Sequence, residues 1–167
     1  GAAMPRTTSR RGFLGTAAAA TALPTWFLGE CHALPRPKAD DDKPGIALVG
    51  CGGMGRGDAK NASRFGRIVA LCDVDDRNLA EAAKAWPDAA RLKDFRKVLD
   101  RNDVGVVICG TVDHWHTLVS MAAMKAGKDV YCEKPLTLTV DEGKRLVEVA
   151  KTTGRVLQTG SQQRSDA

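Results

Sequence analysis

A chain of 167 residues has room for one domain of ordinary size and a tail, which excludes a second full domain. Hydrophobic residues at 43% and charged residues at 27% are globular proportions, and 5% aromatics is too few for a surface that stacks single-stranded nucleic acid. The net charge of +5 splits at Pro44 into +2 before it and +3 after, with no block of like charge beyond Asp40, Asp41 and Asp42. A solvated surface of mixed sign is expected, and no nucleic-acid partner.

Near the start of the chain stands Ser9-Arg10-Arg11-Gly12-Phe13-Leu14, and no charged side chain occurs from 12 to 29. This stretch resembles a twin-arginine (Tat) export signal, which implies the Tat machinery as a partner and a periplasmic or otherwise exported protein. An uncleaved anchor and a chance pair of arginines are the alternatives. Residues 1–33 are read as the signal segment. Residues 34–44, with prolines around the three aspartates, read as a linker.

From residue 45 onward, short apolar runs alternate with segments of helical period, the pattern of a parallel sheet with crossover helices. Strands are expected over 46–49, 68–72, 90–92 (weak), 104–109, 129–132 and 156–159. Helices are expected over 79–86, 95–99, 116–126 and 140–153, the last two ending at Gly127 and Gly154, where a left-handed C-cap needs glycine. Right-handed crossovers then give an α/β, doubly wound parallel sheet, a Rossmann fold, over 45–167. Of the five cysteines, Cys72, Cys109 and Cys132 fall inside strand runs and are read as buried free thiols. Cys31 and Cys51 complete no CxxC pair and no Cys/His grouping has zinc spacing, so no metal site is expected. Unpaired thiols agree with a domain that folds in the reducing cytoplasm before export.

Gly50-Cys51-Gly52-Gly53-Met54-Gly55 follows the first strand and opens a helix, and Asp73 ends the second strand about twenty residues on, the spacing of a dinucleotide fingerprint. Gly50 permits the tight turn, Gly52 lets backbone approach a pyrophosphate, and Gly55 allows close packing of helix on strand. The phosphates would meet the unpaired N–H groups of the helix N-terminus. Asp73 as a carboxylate accepts hydrogen bonds from ribose hydroxyls and repels a 2′-phosphate, so NAD is favoured over NADP. Arg77 is near enough to offset it, and Asp73 also reads as a simple helix cap.

Two further motifs follow strands, Thr111-Val112-Asp113-His114-Trp115-His116 after the fourth and Glu133-Lys134-Pro135 after the fifth, at the carboxyl edge where such sheets bind ligands. Together with the glycine-rich fingerprint and Gly160-Ser161-Gln162-Gln163-Arg164, these motifs resemble the N-terminal half of Gfo/Idh/MocA oxidoreductases over about 44–167. The resemblance implies that Lys134 lies near nicotinamide and substrate, that Glu133 helps hold the nicotinamide ribose, and that the peptide before Pro135 is cis. An ammonium at Lys134 suits stabilisation of negative charge on a substrate oxygen during hydride removal; a surface lysine is the plainer alternative. Thr111 and Trp115 would line the nicotinamide side and Arg164 would reach the cofactor from beyond the last strand. His116 is a catalytic candidate with Lys134, although both His114 and His116 also suit the polar start of a helix.

Family members continue into a second domain that lines the substrate pocket and supplies an acid/base, so the chain is expected to be part of a longer protein, homo-oligomeric when full length. The resemblance implies hydride transfer on a sugar or cyclitol. A redox-neutral glycosidase and a dinucleotide-binding fragment without catalysis are the competing functions.

Overall fold

A computed structural model describes residues 43–164. Six strands alternate with helices: β1 (Gly45–Val49), α1 (Gly53–Ala62), β2 (Arg67–Cys72), α2 (Asp76–Ala85), β3 (Ala90–Leu92), α3 (Phe95–Leu99), β4 (Val106–Cys109), α4 (Asp113–Lys125), β5 (Asp129–Glu133), α5 (Val140–Thr153) and β6 (Leu157–Gly160). A 3-10 turn, Gln162–Arg164, follows. All strand pairs are parallel, in the order β3-β2-β1-β4-β5-β6. The chain therefore reverses its direction of winding between β1 and β4, and opens a crevice at their carboxyl ends. This is the expected doubly wound sheet. Residues 1–42, which carry the twin-arginine motif, Cys31 and most of the linker, lie outside the described residues.

Alternation along each strand divides the core in two. Ala47, Val49, Val107, Cys109, Val130 and Cys132 point to one face, where Val98 of α3, Val119, Ala123 and Met124 of α4 and Leu146 and Val149 of α5 cover them. Ile46, Leu48, Leu71 and Ile108 point to the other, covered by Ala59 of α1 and Leu79, Ala82 and Ala83 of α2. Because both faces are buried, β1 is apolar at every position.

Caps set most helix ends. The Asp75 carboxylate accepts from Arg77 N at the start of α2, and Thr139 with Glu142 forms a reciprocal capping box on α5. Gly127 and Gly154 end α4 and α5 at φ +77° and +62°, as glycine at a left-handed C-cap should. Boundaries shift elsewhere. The fourth helix begins at Asp113 rather than 116, because Trp115 N already bonds Val112 O. The fourth strand begins at Val106, with Val104 buried ahead of the ladder, and the sixth runs one residue later than expected.

Candidate functional site

Glycine is required twice where β1 turns into α1. Gly50 sits at φ +90°, and a Cβ there would lie 2.5 Å from the Gly110 carbonyl. Gly55 packs so closely under the turn that a Cβ would run into the Gly50 carbonyl oxygen. By contrast, Cβ positions at Gly52 and Gly53 meet nothing within 4 Å. Gly52 caps α1 without a side-chain acceptor and no acid occupies the first turn, so the first amides of α1 face open space as unmatched donors. That is what a diphosphate requires.

Asp73 does more than the sequence indicates. Its Oδ2 accepts from Cys51 N at 2.7 Å and its Oδ1 from Asp75 N at 2.8 Å, so one carboxylate fixes both the glycine loop and the approach to α2. The cap of α2 is Asp75, and Asp75 also holds Arg77 in an exposed ion pair at 3.0 Å. Arg77 is thus occupied by a neighbour and does not offset Asp73.

A crevice of about 400 Å³ opens at the switch point and is lined by Gly50, Gly52, Asp73, Thr111 and Trp115 together with Asn78, Lys93 and Phe95. The last three escaped the sequence reading. Lys93 follows the short β3 and donates to Val74 O at 3.1 Å while pairing with Asp76 at 2.5 Å, and nothing local marks it. Phe95 stands edge-on to the half-exposed Trp115, with ring centroids 6.2 Å apart. Cys51 is buried, its thiol directed to Cys72 O at 3.6 Å, and Met54 is exposed on α1.

Glu133, Lys134 and Pro135 lie at the end of β5, outside the lining of that crevice but on the same sheet edge, and Arg164 lies exposed in the turn after β6. The Lys134–Pro135 peptide is cis, as the resemblance implies. Lys134 is exposed, whereas Glu133 is 4% exposed and accepts from Lys134 N at 3.1 Å.

His116, the catalytic candidate beside Lys134, lies beneath the turn. Its side chain is 1% exposed, Nδ1 lies 2.6 Å from Pro135 O and Nε2 lies 3.0 Å from Thr111 O. Both ring nitrogens face backbone carbonyl oxygens, so His116 spans from the loop after β4 to the turn after β5, outside the lining of the crevice.

Beside it lie Cys109 and Cys132, register partners on β4 and β5, whose thiols and a ring nitrogen of His116 all fall within 4.8 Å of one another. The two thiols share a hydrogen bond that, with Thr111 and His116, lowers Cys109 to about 7 and raises Cys132. Cys51, Cys72, Cys109 and Cys132 are free and buried.

The family model for the oxidoreductase family with an NAD-binding Rossmann fold, Gfo/Idh/MocA, matches residues 45–161. Among curated relatives, an inositol 2-dehydrogenase of Gluconacetobacter diazotrophicus is 35% identical over 128 residues, covering 74% of this chain and 38% of that protein. A glycosyl hydrolase family 109 protein of a Shewanella species is 35% identical over 130 residues, covering 71% and 28%. The solved structure of an apo scyllo-inositol dehydrogenase from Lactobacillus casei superposes with a TM-score of 0.69 at 25% identity, over 75% of this chain and 38% of that one. The chain thus spans between 28% and 38% of the length of these relatives. With a fingerprint loop, its acid anchor and a switch-point crevice in place, the chain belongs to the Gfo/Idh/MocA oxidoreductase family through an NAD-binding Rossmann domain.

Proposed function

We propose that the chain is the nucleotide-binding part of an NAD-dependent oxidoreductase acting on a sugar or cyclitol. The observation that carries this reading is the crevice in which open helix-terminal amides at Gly52 and Gly53 stand beside an anchored Asp73, with the Glu133-Lys134-Pro135 turn on the same sheet edge. NAD, when bound, supplies the hydride acceptor or donor at C4 of its nicotinamide. The first amides of α1 would receive its diphosphate and Asp73 the hydroxyls of the adenosine ribose, while the Asp73 charge opposes the 2′-phosphate of NADP. Thr111 and Trp115 are assigned to the nicotinamide side, Arg164 to a cofactor contact beyond β6, and Glu133 to the nicotinamide ribose. Lys134 is assigned to the substrate hydroxyl, where an ammonium stabilises the negative charge that grows on oxygen as hydride leaves carbon. The inositol 2-dehydrogenase relative supports a polyol as substrate.

A second reading draws on the glycosyl hydrolase relative at the same identity. In that reading the sugar would give its hydride to NAD, lose the acidified neighbouring proton and its glycosidic oxygen by elimination, add water in their place and take the hydride back within one turnover, so that no electrons leave the site. One assay on the full-length protein separates the two. Inositols or free sugars that change nicotinamide absorbance in proportion to substrate consumed support the dehydrogenase; glycosides consumed with no acceptor support the hydrolase. Failure of both, with folded protein, overturns the enzymatic reading.

Export by the Tat route to the periplasm rests on Ser9-Arg10-Arg11 and the uncharged stretch after it. Replacing Arg10 and Arg11 with lysine should hold the protein in the cytoplasmic fraction, and equal partitioning of parent and variant would contradict it. A homo-oligomeric full-length protein is proposed from the family resemblance and is checked by light scattering.

A further inference from the structure

Behind the Glu133-Lys134-Pro135 turn, two acids from distant parts of the chain meet. Asp58 projects from α1, the helix that carries the fingerprint glycines, and Glu133 ends β5. Asp58 Oδ2 and Glu133 Oε1 are both buried with no hydrogen-bond partner, and the two carboxyl groups lie near enough for Glu133 to act on Asp58. No lysine or arginine donates to either of these two oxygens. The remaining group near them, the Tyr131 hydroxyl, is an acid as well, pushed up by burial and then by the charges of Asp58 and Glu133. Space for the cluster comes from Gly160 of β6, the register partner of Glu133, where a Cβ would lie 2.5 Å from Glu133 Oε1 and 2.9 Å from the Tyr131 hydroxyl oxygen.

Two ionised carboxylates are acceptors only and cannot bond to each other; one proton between them supplies the missing donor and removes one of two buried like charges. We propose that Asp58 and Glu133 share a single proton, and that this bridge makes Asp58 a positioning residue that locks the Glu133-Lys134-Pro135 turn to the fingerprint helix. Burial first, and the neighbouring Glu133 second, raise Asp58 to about 6, so the bridge is made in mild acid and strained by repulsion above neutrality. The effect on cofactor rests on the NAD reading given above; the shared proton does not.

The test uses the whole chain and has two parts. Carboxyl carbon NMR should find Asp58 titrating near 6 in the parent and at lower pH in Glu133→Gln, since the contribution of the Glu133 carboxylate to its shift is gone while that of burial remains. NAD affinity, followed by tryptophan fluorescence, should weaken several-fold in the parent between about pH 5 and pH 8 as the second carboxylate ionises, and stay level in Asp58→Asn, whose amide donates permanently. An ordinary aspartate titration in the parent, or one that Glu133→Gln leaves unmoved, overturns the shared proton. Superimposable binding profiles overturn the positioning role. Absence of NAD binding in both proteins, with the carboxyl titration as expected, would sink the cofactor reading and with it the positioning role, while the shared proton stands.

Discussion

On the β1 side of the crevice the glycine loop is fixed by bonds already complete. Asp73 holds Cys51 N and Asp75 N, and Gly50, Gly55 and Gly110 pack backbone against backbone. On the β5 side, Lys134 and Arg164 are exposed and the fixed element is the turn beneath them, held through His116 and Glu133. One side of the site is thus built into the fold, while the other presents side chains on a braced turn. The contrast teaches which positions govern stability and which govern chemistry.

The comparison breaks most visibly at the glycines. Gly110→Val would drive a Cβ to 2.7 Å from Gly55 Cα, which backbone cannot relieve. A loss of about 3 kcal/mol in denaturant unfolding is expected, together with loss of NAD binding. A variant as stable as the parent would mean that the loop is not packed as described.

Next in size is His116→Ala, which removes the ring that lies between the carbonyls of Pro135 and Thr111 and opens a cavity under the turn. Unfolding should become easier by roughly 2–4 kcal/mol. Unchanged stability would contradict a structural tie through His116 between the two loops.

Asp58 gives a smaller, pH-dependent effect. Its folded-state value, about 6, lies above the ordinary 3.8, so the folded chain binds the proton more tightly than the unfolded chain. The stabilisation is full below the ordinary value, falls as pH rises through 6, and is flat beyond. Thermal unfolding of Asp58→Asn should lack that slope, and parallel profiles for the two proteins would contradict the burial of this carboxyl.

Smallest of all should be Lys134→Met. The side chain is exposed and makes no ion pair among the described residues, so stability should stay within about 0.5 kcal/mol of the parent. If turnover of the full-length protein were equally unaffected, Lys134 would be a surface residue.

What could be read from the sequence follows the same division. The strand rhythm, the glycine turn and Asp73 were legible because each is encoded within a few residues or at a fixed spacing, and the two-sided burial of β1 is written in its apolar run. The cis peptide before Pro135 was available only through the family resemblance. Lys93, Asn78 and the meeting of Asp58 with Glu133 were not legible, since they depend on where β3 and α1 come to lie beside other elements. The surroundings of His116 were not legible for the same reason. A polar residue at a helix start faces either the crevice or the strands beneath it, and local pattern does not distinguish them; the carbonyls of Thr111 and Pro135 do.

The central claim is that Asp73 organises a site for NAD on the β1 side, and calorimetric titration of the folded chain with NAD and NADP, for the parent and Asp73→Ala, tests it most directly. NAD should bind the parent about tenfold or more tightly than NADP, and Asp73→Ala should lose roughly 10- to 100-fold in NAD affinity, because a charged acceptor and the anchor of the glycine loop go together. Equal affinity for the two cofactors in the parent, or an Asp73→Ala variant that binds NAD as well as the parent, would contradict the account.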